Sequence, residues 1–275
     1  MKKVKSTLVS FCAAILFVSC QTTYYQIYKT TPADNITKVD KTLVYEDANC
    51  KITYDLWKNG GDIGFKFYNK TDKNIYINLP DSFYILNGNA YNYYKNRIFT
   101  DSKSNVVSAT NSFSFGKSLL GLNHSNVPLL NSFALGGSTT SSNSSGYSVA
   151  YVEDKNVCIP PKSSKSFSEY TINENLFLDC QLDQYPTKRN IKSKHFDKSN
   201  SPLVFSNRIA YSLDQNTSSI IITNEFFVSD ITNLPGNEML VKTYENECGG
   251  RSSYPFYVVK KEDPNMFFIR YSGMN

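Results

Sequence analysis

From residue 42 onward this chain is built of short runs in which aromatic or β-branched residues alternate with polar ones, each run closed by turn residues. A period of two sends successive side chains to opposite faces of an extended strand, so such runs read as antiparallel strands with one buried face. The clearest pair is Ser82 to Leu86 and Ala90 to Arg97, joined by Asn87-Gly88-Asn89. Asn-Gly supplies the positive φ angles that a tight hairpin turn demands. Before it, Thr42 to Tyr45, Cys50 to Trp57, Ile63 to Tyr68 and Ile75 to Leu79 read as strands. After it come Tyr147 to Val152, Lys165 to Thr171, Leu203 to Leu213, Ser219 to Asp230, Phe256 to Lys260 and Met266 to Tyr271. Composition agrees, because the chain carries 20 Tyr and 18 Phe, and aromatic residues suit a pleated, half-buried surface.

The expected fold is therefore mainly β: an antiparallel two-sheet, sandwich-like domain over residues 42–275, with one short helix and a long insertion. Ile159-Pro160-Pro161-Lys162-Ser163-Ser164 has the form of a proline-led edge connection of such a sandwich. The helix is expected where Thr171-Ile172-Asn173-Glu174 makes a capping box ahead of Leu176, Phe177 and Leu178. Residues 102–146 form the insertion, dense in Ser, Asn and Gly. A connection that long is functional or disordered, and Phe113, Phe115, Leu119, Leu120, Leu129 and Leu130 within it imply that part packs down.

The first twenty residues differ from everything after them. Lys2, Lys3 and Lys5 precede an apolar run from Leu8 to Val18 broken only by Ser10. The run is shorter than the ~20 residues that span a bilayer and fits the apolar region of a secretory signal. Leu16-Phe17-Val18-Ser19-Cys20 resembles the lipobox of bacterial lipoproteins, in which the cysteine receives a diacylglyceryl group and signal peptidase II cuts before it. It departs from the usual pattern at Phe17, where Leu is common. Residues 1–19 are thus expected to be a lipoprotein signal peptide, Cys20 the lipidated (palmitate-bearing) residue, and residues 20–41 a tether to the β-rich domain. Gln21, in place of the Asp that retains many lipoproteins at the inner membrane, gives the outer membrane as the expected destination.

The similarity extends further. Tyr24-Tyr25-Gln26-Ile27-Tyr28-Lys29-Thr30, Val44-Tyr45-Glu46-Asp47 and Gly64-Phe65-Lys66-Phe67-Tyr68-Asn69-Lys70-Thr71 resemble a family of uncharacterised envelope lipoproteins from anaerobic two-membrane bacteria. The resemblance runs over most of the mature chain and implies an address in the envelope; it assigns no activity and no site residue.

Charge excludes nucleic acid as an expected partner. The whole chain has 29 Lys and Arg against 24 Asp and Glu, and removing the three signal lysines leaves 26 against 24. A nucleic-acid binder usually concentrates positive charge on one face, whereas here the signs are mixed; the densest run, Lys188 to His195, reads as a solvated loop. Once Cys12 leaves with the signal and Cys20 takes lipid, Cys50, Cys158, Cys180 and Cys248 remain. Four cysteines allow three pairings, and an oxidising envelope favours disulfides; Cys158 with Cys180, nearest in sequence, is the preferred pair. Without a Cys-x-x-Cys pair or a histidine near a cysteine in sequence, no metal site or cofactor is expected.

Catalytic signatures are missing as well. There is no Gly-x-Ser-x-Gly and no His-Glu-x-x-His, and Gly116-Lys117-Ser118 lacks the first glycine of a phosphate-binding loop, which would fall at Asn111. The acidic neighbours Glu46-Asp47, Glu153-Asp154 and Glu262-Asp263 point to opposite faces if extended. Two functional readings follow. One is a non-enzymatic envelope protein that binds a glycan, peptide or partner protein, or serves a structural role. The alternative is a glycan-processing enzyme whose two carboxyls are brought together only by the fold. For the first, Tyr84, Tyr91 and Tyr93 of the hairpin are the candidate contacts, either as an exposed platform or as half-buried core rings. Replacing Cys20 with Ala is expected to abolish labelling by radioactive palmitate and to leave uncleaved precursor; continued labelling of the variant would refute the lipid assignment.

Overall fold

The computed structural model describes residues 22–106, 144–214, 218–245, 249–260 and 262–273. Cys20 with the signal segment, Cys248, the Gly116-Lys117-Ser118 fragment and the middle of the insertion lie outside these residues. The main unit comprises residues up to 95 and from 154 onward. Its larger sheet runs in the order β10 (Asn156–Ile159), β6 (Ile75–Leu86), β13 (Val204–Ser212), β14 (Ile220–Pro235), β1 (Thr23–Pro32) and β17 (Met266–Ser272). The short strands β7 (Asn89–Asn92) and β12 (Ser193–His195) pair with β6 and β14. A second sheet has the order β11 (Ser164–Phe167), β5 (Phe65–Asn69), β4 (Cys50–Tyr54), β3 (Thr42–Glu46) and β2 (Ile36–Val39). All these pairings are antiparallel, and the chain has the expected mainly β, sandwich-like fold.

Aromatic rings interlock the two sheets. Tyr54 of β4 meets Phe226 of β14 edge-on at 5.3 Å between centroids, and Phe67 of β5 meets Tyr211 of β13 at 5.6 Å. These rings are fully buried, and edge-to-face pairs contribute about 0.5–1.5 kcal/mol beyond the area they remove from water. At the foot of the sandwich the buried Asn69 amide, ending β5, donates to the carbonyls of Lys73 (2.7 Å) and Ile159 (3.0 Å), the latter closing β10. That side chain ties an edge of one sheet to the other.

Three expectations give way here. Residues 20–41 are not a tether from Thr23 on: β1 lies inside the larger sheet between β14 and β17, with Tyr28 fully buried. Ile75–Leu79 and Ser82–Leu86 are one strand, not two, although Pro80 interrupts them. There β6 bulges, its residues 79–82 lying opposite Ile209 alone, so Pro80 needs no ladder bond, and the Ser82 hydroxyl bridges the gap, donating to the Asn78 carbonyl (2.6 Å) and accepting from the Ala210 amide (3.0 Å). The third concerns the helix. Thr171 to Asp183 is irregular, and the one short α-helix among the described residues is α1 (Gly236–Met239), beside a single 3-10 turn at Lys188–Asn190. Asn173 explains the change: its side-chain oxygen accepts from the Asn175 amide (3.1 Å) and its nitrogen donates to the Asn175 carbonyl (2.6 Å). Such local side-chain bonds compete with the helical ladder.

Among the described residues the expected disulfides are not formed either: Cys50, Cys158 and Cys180 are free thiols. A disulfide needs its two Cα atoms within about 4.4–6.8 Å. Cys50 faces the core from β4, whereas Cys158 points outward from β10. Cys180 lies beside Gln26, Asn233 and Tyr271 of β1, β14 and β17, at least three strand spacings from β10, or about 14 Å along the sheet. Burial pushes the Cys50 thiol up, away from its reactive thiolate form.

Residues 96–153 form a second compact unit, in which β8 (Ile98–Val106) and β9 (Ser144–Val152) make an antiparallel ribbon across part of the expected insertion. At its base the Arg97 guanidinium donates from Nε to Glu153 (3.1 Å), and Phe99 stacks on Tyr151 at 5.2 Å. A second ribbon, in the main unit, pairs β15 (Leu240–Glu245) with β16 (Arg251–Val259) and joins neither sheet.

In place of the helix, the segment 171–185 is strapped to the larger sheet by Gln26. The buried amide donates from Nε2 to the Phe177 carbonyl (2.9 Å) and to Asn233 (2.8 Å), while Oε1 accepts from the Phe177 amide (2.7 Å) and the Tyr28 hydroxyl. The Gln26→Leu variant is expected to lose about 1–3 kcal/mol for each buried group left unpaired; a urea midpoint equal to the parent's would disprove that role.

Candidate functional site

The hairpin forms as its turn chemistry requires. Asn87 and Gly88 take φ of 47° and 82°, both in the left-handed region that this turn needs and that glycine tolerates best. The register then places Tyr84 directly opposite Tyr91, with ring centroids 5.9 Å apart and nearly parallel. Tyr93, just past β7, turns inward: its amide donates to the Ser82 carbonyl (3.1 Å) and its hydroxyl to Asn207 Oδ1 (2.7 Å).

The three tyrosines named from sequence do come together, but not as an exposed platform. Tyr84 and Tyr93 are each only 2% exposed, and Tyr91, at 44%, is the one offered to solvent. Burial raises the hydroxyl pKa of both inner rings, which stay neutral phenols at any physiological pH. The reason for their burial is a fourth ring that sequence reading did not find. Tyr170, three residues beyond β11, lies 5.2 Å from Tyr84, 5.4 Å from Tyr93 and 6.1 Å from Tyr91. Its hydroxyl donates to the Asn92 carbonyl. The Lys95 ammonium stands 4.7 Å above the Tyr170 ring and 3.1 Å from Glu169, a cation–π contact contributing about 0.5–1 kcal/mol where exposed. Nothing local in the sequence links Tyr170 to the hairpin; the residue sits at the end of an expected strand, and only the pairing of β11 with β5 carries it there.

The result is a small aromatic shelf, with Tyr91 outermost, Tyr170 half-buried beside it, a cation at its margin and two buried rings behind. An exposed ring face backed by fixed neighbours suits stacking against the apolar face of a sugar ring or a flat side chain of a peptide. A separate concavity of about 320 Å³ lies under residues 176–184, lined in part by Gln26, Phe177, Cys180, Asn233 and Tyr271. Its amides are already engaged, since Gln26 binds Phe177 and the Asn233 amide donates to the Asp183 carbonyl (2.9 Å).

Carboxyls arranged for acid–base work would include one held above its ordinary pKa. Glu46, Asp179 and Glu238 instead sit below the usual range, each through hydrogen bonding to a lysine: Lys70, Lys194 and Lys188. The acidic neighbours are likewise in structural use. Asp47 Oδ1 accepts the amides of Asn49 and Cys50 (2.7 Å each), Glu153 binds Arg97, and Asp263 pairs with Lys38 at 2.7 Å. Among the described residues, no three His, Cys, Asp or Glu side chains gather as a metal site would require.

Tyr91→Ala is expected to cost under about 1 kcal/mol of stability, as for an exposed side chain, and Tyr84→Ala about 3–5 kcal/mol, as for a buried ring. Equal losses in denaturant titrations would mean that Tyr91 belongs to the core and that there is no shelf. The chain matches no protein-family model, no curated protein and no solved structure, so its function rests on its own residues.

Proposed function

We propose that this chain is a cell-envelope lipoprotein, held at the outer membrane through lipid on Cys20, whose β-rich body is a non-enzymatic binding module. The address is supported by the basic, then apolar, segment ending at Cys20. Binding is supported by one geometric observation: Tyr91 presents a ring face to solvent over the buried Tyr84, beside Tyr170 and its lysine. The ligand class that fits is an envelope or host glycan, or an extended peptide, taken by stacking and by hydrogen bonds from the Tyr91 hydroxyl and Lys95. The paired state of the carboxyls above gives no support to the glycan-processing alternative.

The test is retention of the lipoprotein on a panel of envelope glycans, host glycans and peptides, with Tyr91→Ala measured beside the parent. Losing one stacking contact, about 0.5–1.5 kcal/mol, should weaken binding by about twofold to tenfold with a melting temperature lowered by less than about 4 °C. Retention of the variant at the parent's level would remove the shelf from the binding account.

A further inference from the structure

The β15–β16 ribbon is the most apolar exposed element of the main unit. Tyr254 is 81% and Tyr257 65% exposed, and Val241, Tyr244 and Val258 are exposed with them. Tyr257 and Val258 are neighbours on one strand and so project to opposite faces, which leaves apolar side chains on both sides of the ribbon. A two-stranded ribbon is marginal in water by itself, and clustered exposed apolar side chains mark a contact surface.

Where the ribbon is rooted indicates what it contacts. Its first pair, Leu240 with Val259, follows directly on α1. Gly236 of that helix lies so near the start of β1 that an added Cβ would fall 2.9 Å from the Thr23 carbonyl oxygen. Thr23 is three residues beyond Cys20, and three extended residues span at most about 11 Å. The Cα of Cys20 therefore lies within about 11 Å of Thr23, at the start of the strand that abuts the root of the ribbon, and lipid on Cys20 would enter the membrane from there. The same end carries basic side chains. Lys188 pairs with Glu238 of α1 at 3.1 Å, with Arg189 and Lys192 exposed just beyond, and Lys260 closes the ribbon. Tyrosine favours the headgroup layer, where its ring is apolar and its hydroxyl wet, and lysine and arginine are drawn to anionic headgroups.

We propose that in the lipid-anchored protein the β15–β16 ribbon lies in the headgroup layer of the membrane that holds Cys20; this rests on the anchor assigned above. The aromatic shelf is then held away from the bilayer. Tyr84 pairs with Asn207 and Asn207 with Asn224, whereas Tyr24 pairs with Pro235. The two levels are separated by eleven residues of β14, about 36 Å in a straight strand.

The test uses full-length protein purified from envelopes and reconstituted in vesicles of phosphatidylethanolamine and phosphatidylglycerol, with and without brominated acyl chains. Trp57, the single tryptophan, is replaced by Phe, and a reporter is introduced as Tyr254→Trp, Tyr257→Trp or, for comparison, Tyr91→Trp. At least one ribbon reporter should shift to shorter wavelength and lose most of its emission to bromine, while the Tyr91→Trp reporter keeps its emission. If both ribbon reporters behave like the Tyr91→Trp one in protein whose intact mass includes lipid, the docking proposal fails and the anchor stands. An intact mass without lipid would overturn the anchor and the docking together. Ribbon emission that follows protein concentration in micelles and ignores bromine would assign the ribbon to a second copy and also overturn the proposal.

Discussion

The buried amide of Gln26 is the contact on which the arrangement of this protein turns. A primary amide buried without partners costs several kcal/mol, so a residue 1% exposed in the middle of a strand must be fully engaged. Gln26 meets that demand by taking both backbone groups of Phe177, the Asn233 side chain and the Tyr28 hydroxyl. One side chain thus joins β1 to β14 and straps an irregular segment across both. Tyr28, beside it, stacks flat on Phe267 of β17 at 4.6 Å, and burial pushes its hydroxyl up to about 12. The network is neutral throughout, which spares the fold the larger desolvation cost of buried ions.

A second neutral network makes the aromatic shelf rigid. Asn207 donates to the Ile63 carbonyl (2.8 Å) and accepts from Tyr93, and Asn224 donates to the Tyr54 hydroxyl (2.8 Å). Asn207 and Asn224 are register partners on β13 and β14, so the inner ring of the shelf is fixed to both sheets through adjacent amides. A ring held in this way loses little freedom when a ligand stacks on its neighbour, and preorganisation of that kind lowers the entropic cost of binding. The fold therefore supplies a stiff backing while leaving Tyr91 free to make contact.

The proposed anchor and the shelf would sit far apart along β14, which gives the proposed function a geometric logic. The long strand is shared: its first half pairs with β13 near the shelf and its second half with β1, whose start lies near the proposed anchor. A body pinned at one end by lipid and by the ribbon would keep its binding face clear of the headgroups.

What the sequence determined by itself was local. Asn87-Gly88 specified the hairpin because positive φ at two successive residues is a property of those residues alone, and the alternation in Cys50–Tyr54 and Phe65–Asn69 specified strands with one buried face. What the tertiary structure decided was partnership. β1 was hidden because its inward positions include Gln26 and Thr30, polar residues whose burial makes sense only once Phe177 and Asn265 are opposite them. The capping box at Thr171 did not start a helix, since the same backbone groups found better partners in Asn173 and Gln26. The four cysteines suggested bridges by number, but strand order kept Cys158 and Cys180 apart. The tyrosines of the hairpin were legible as a cluster, yet which of them faced water depended on Tyr170, eighty-six residues away from Tyr84 in the chain. Dihedral preference and side-chain alternation act within a few residues; burial and hydrogen-bond satisfaction are settled between residues that only the folded chain brings together.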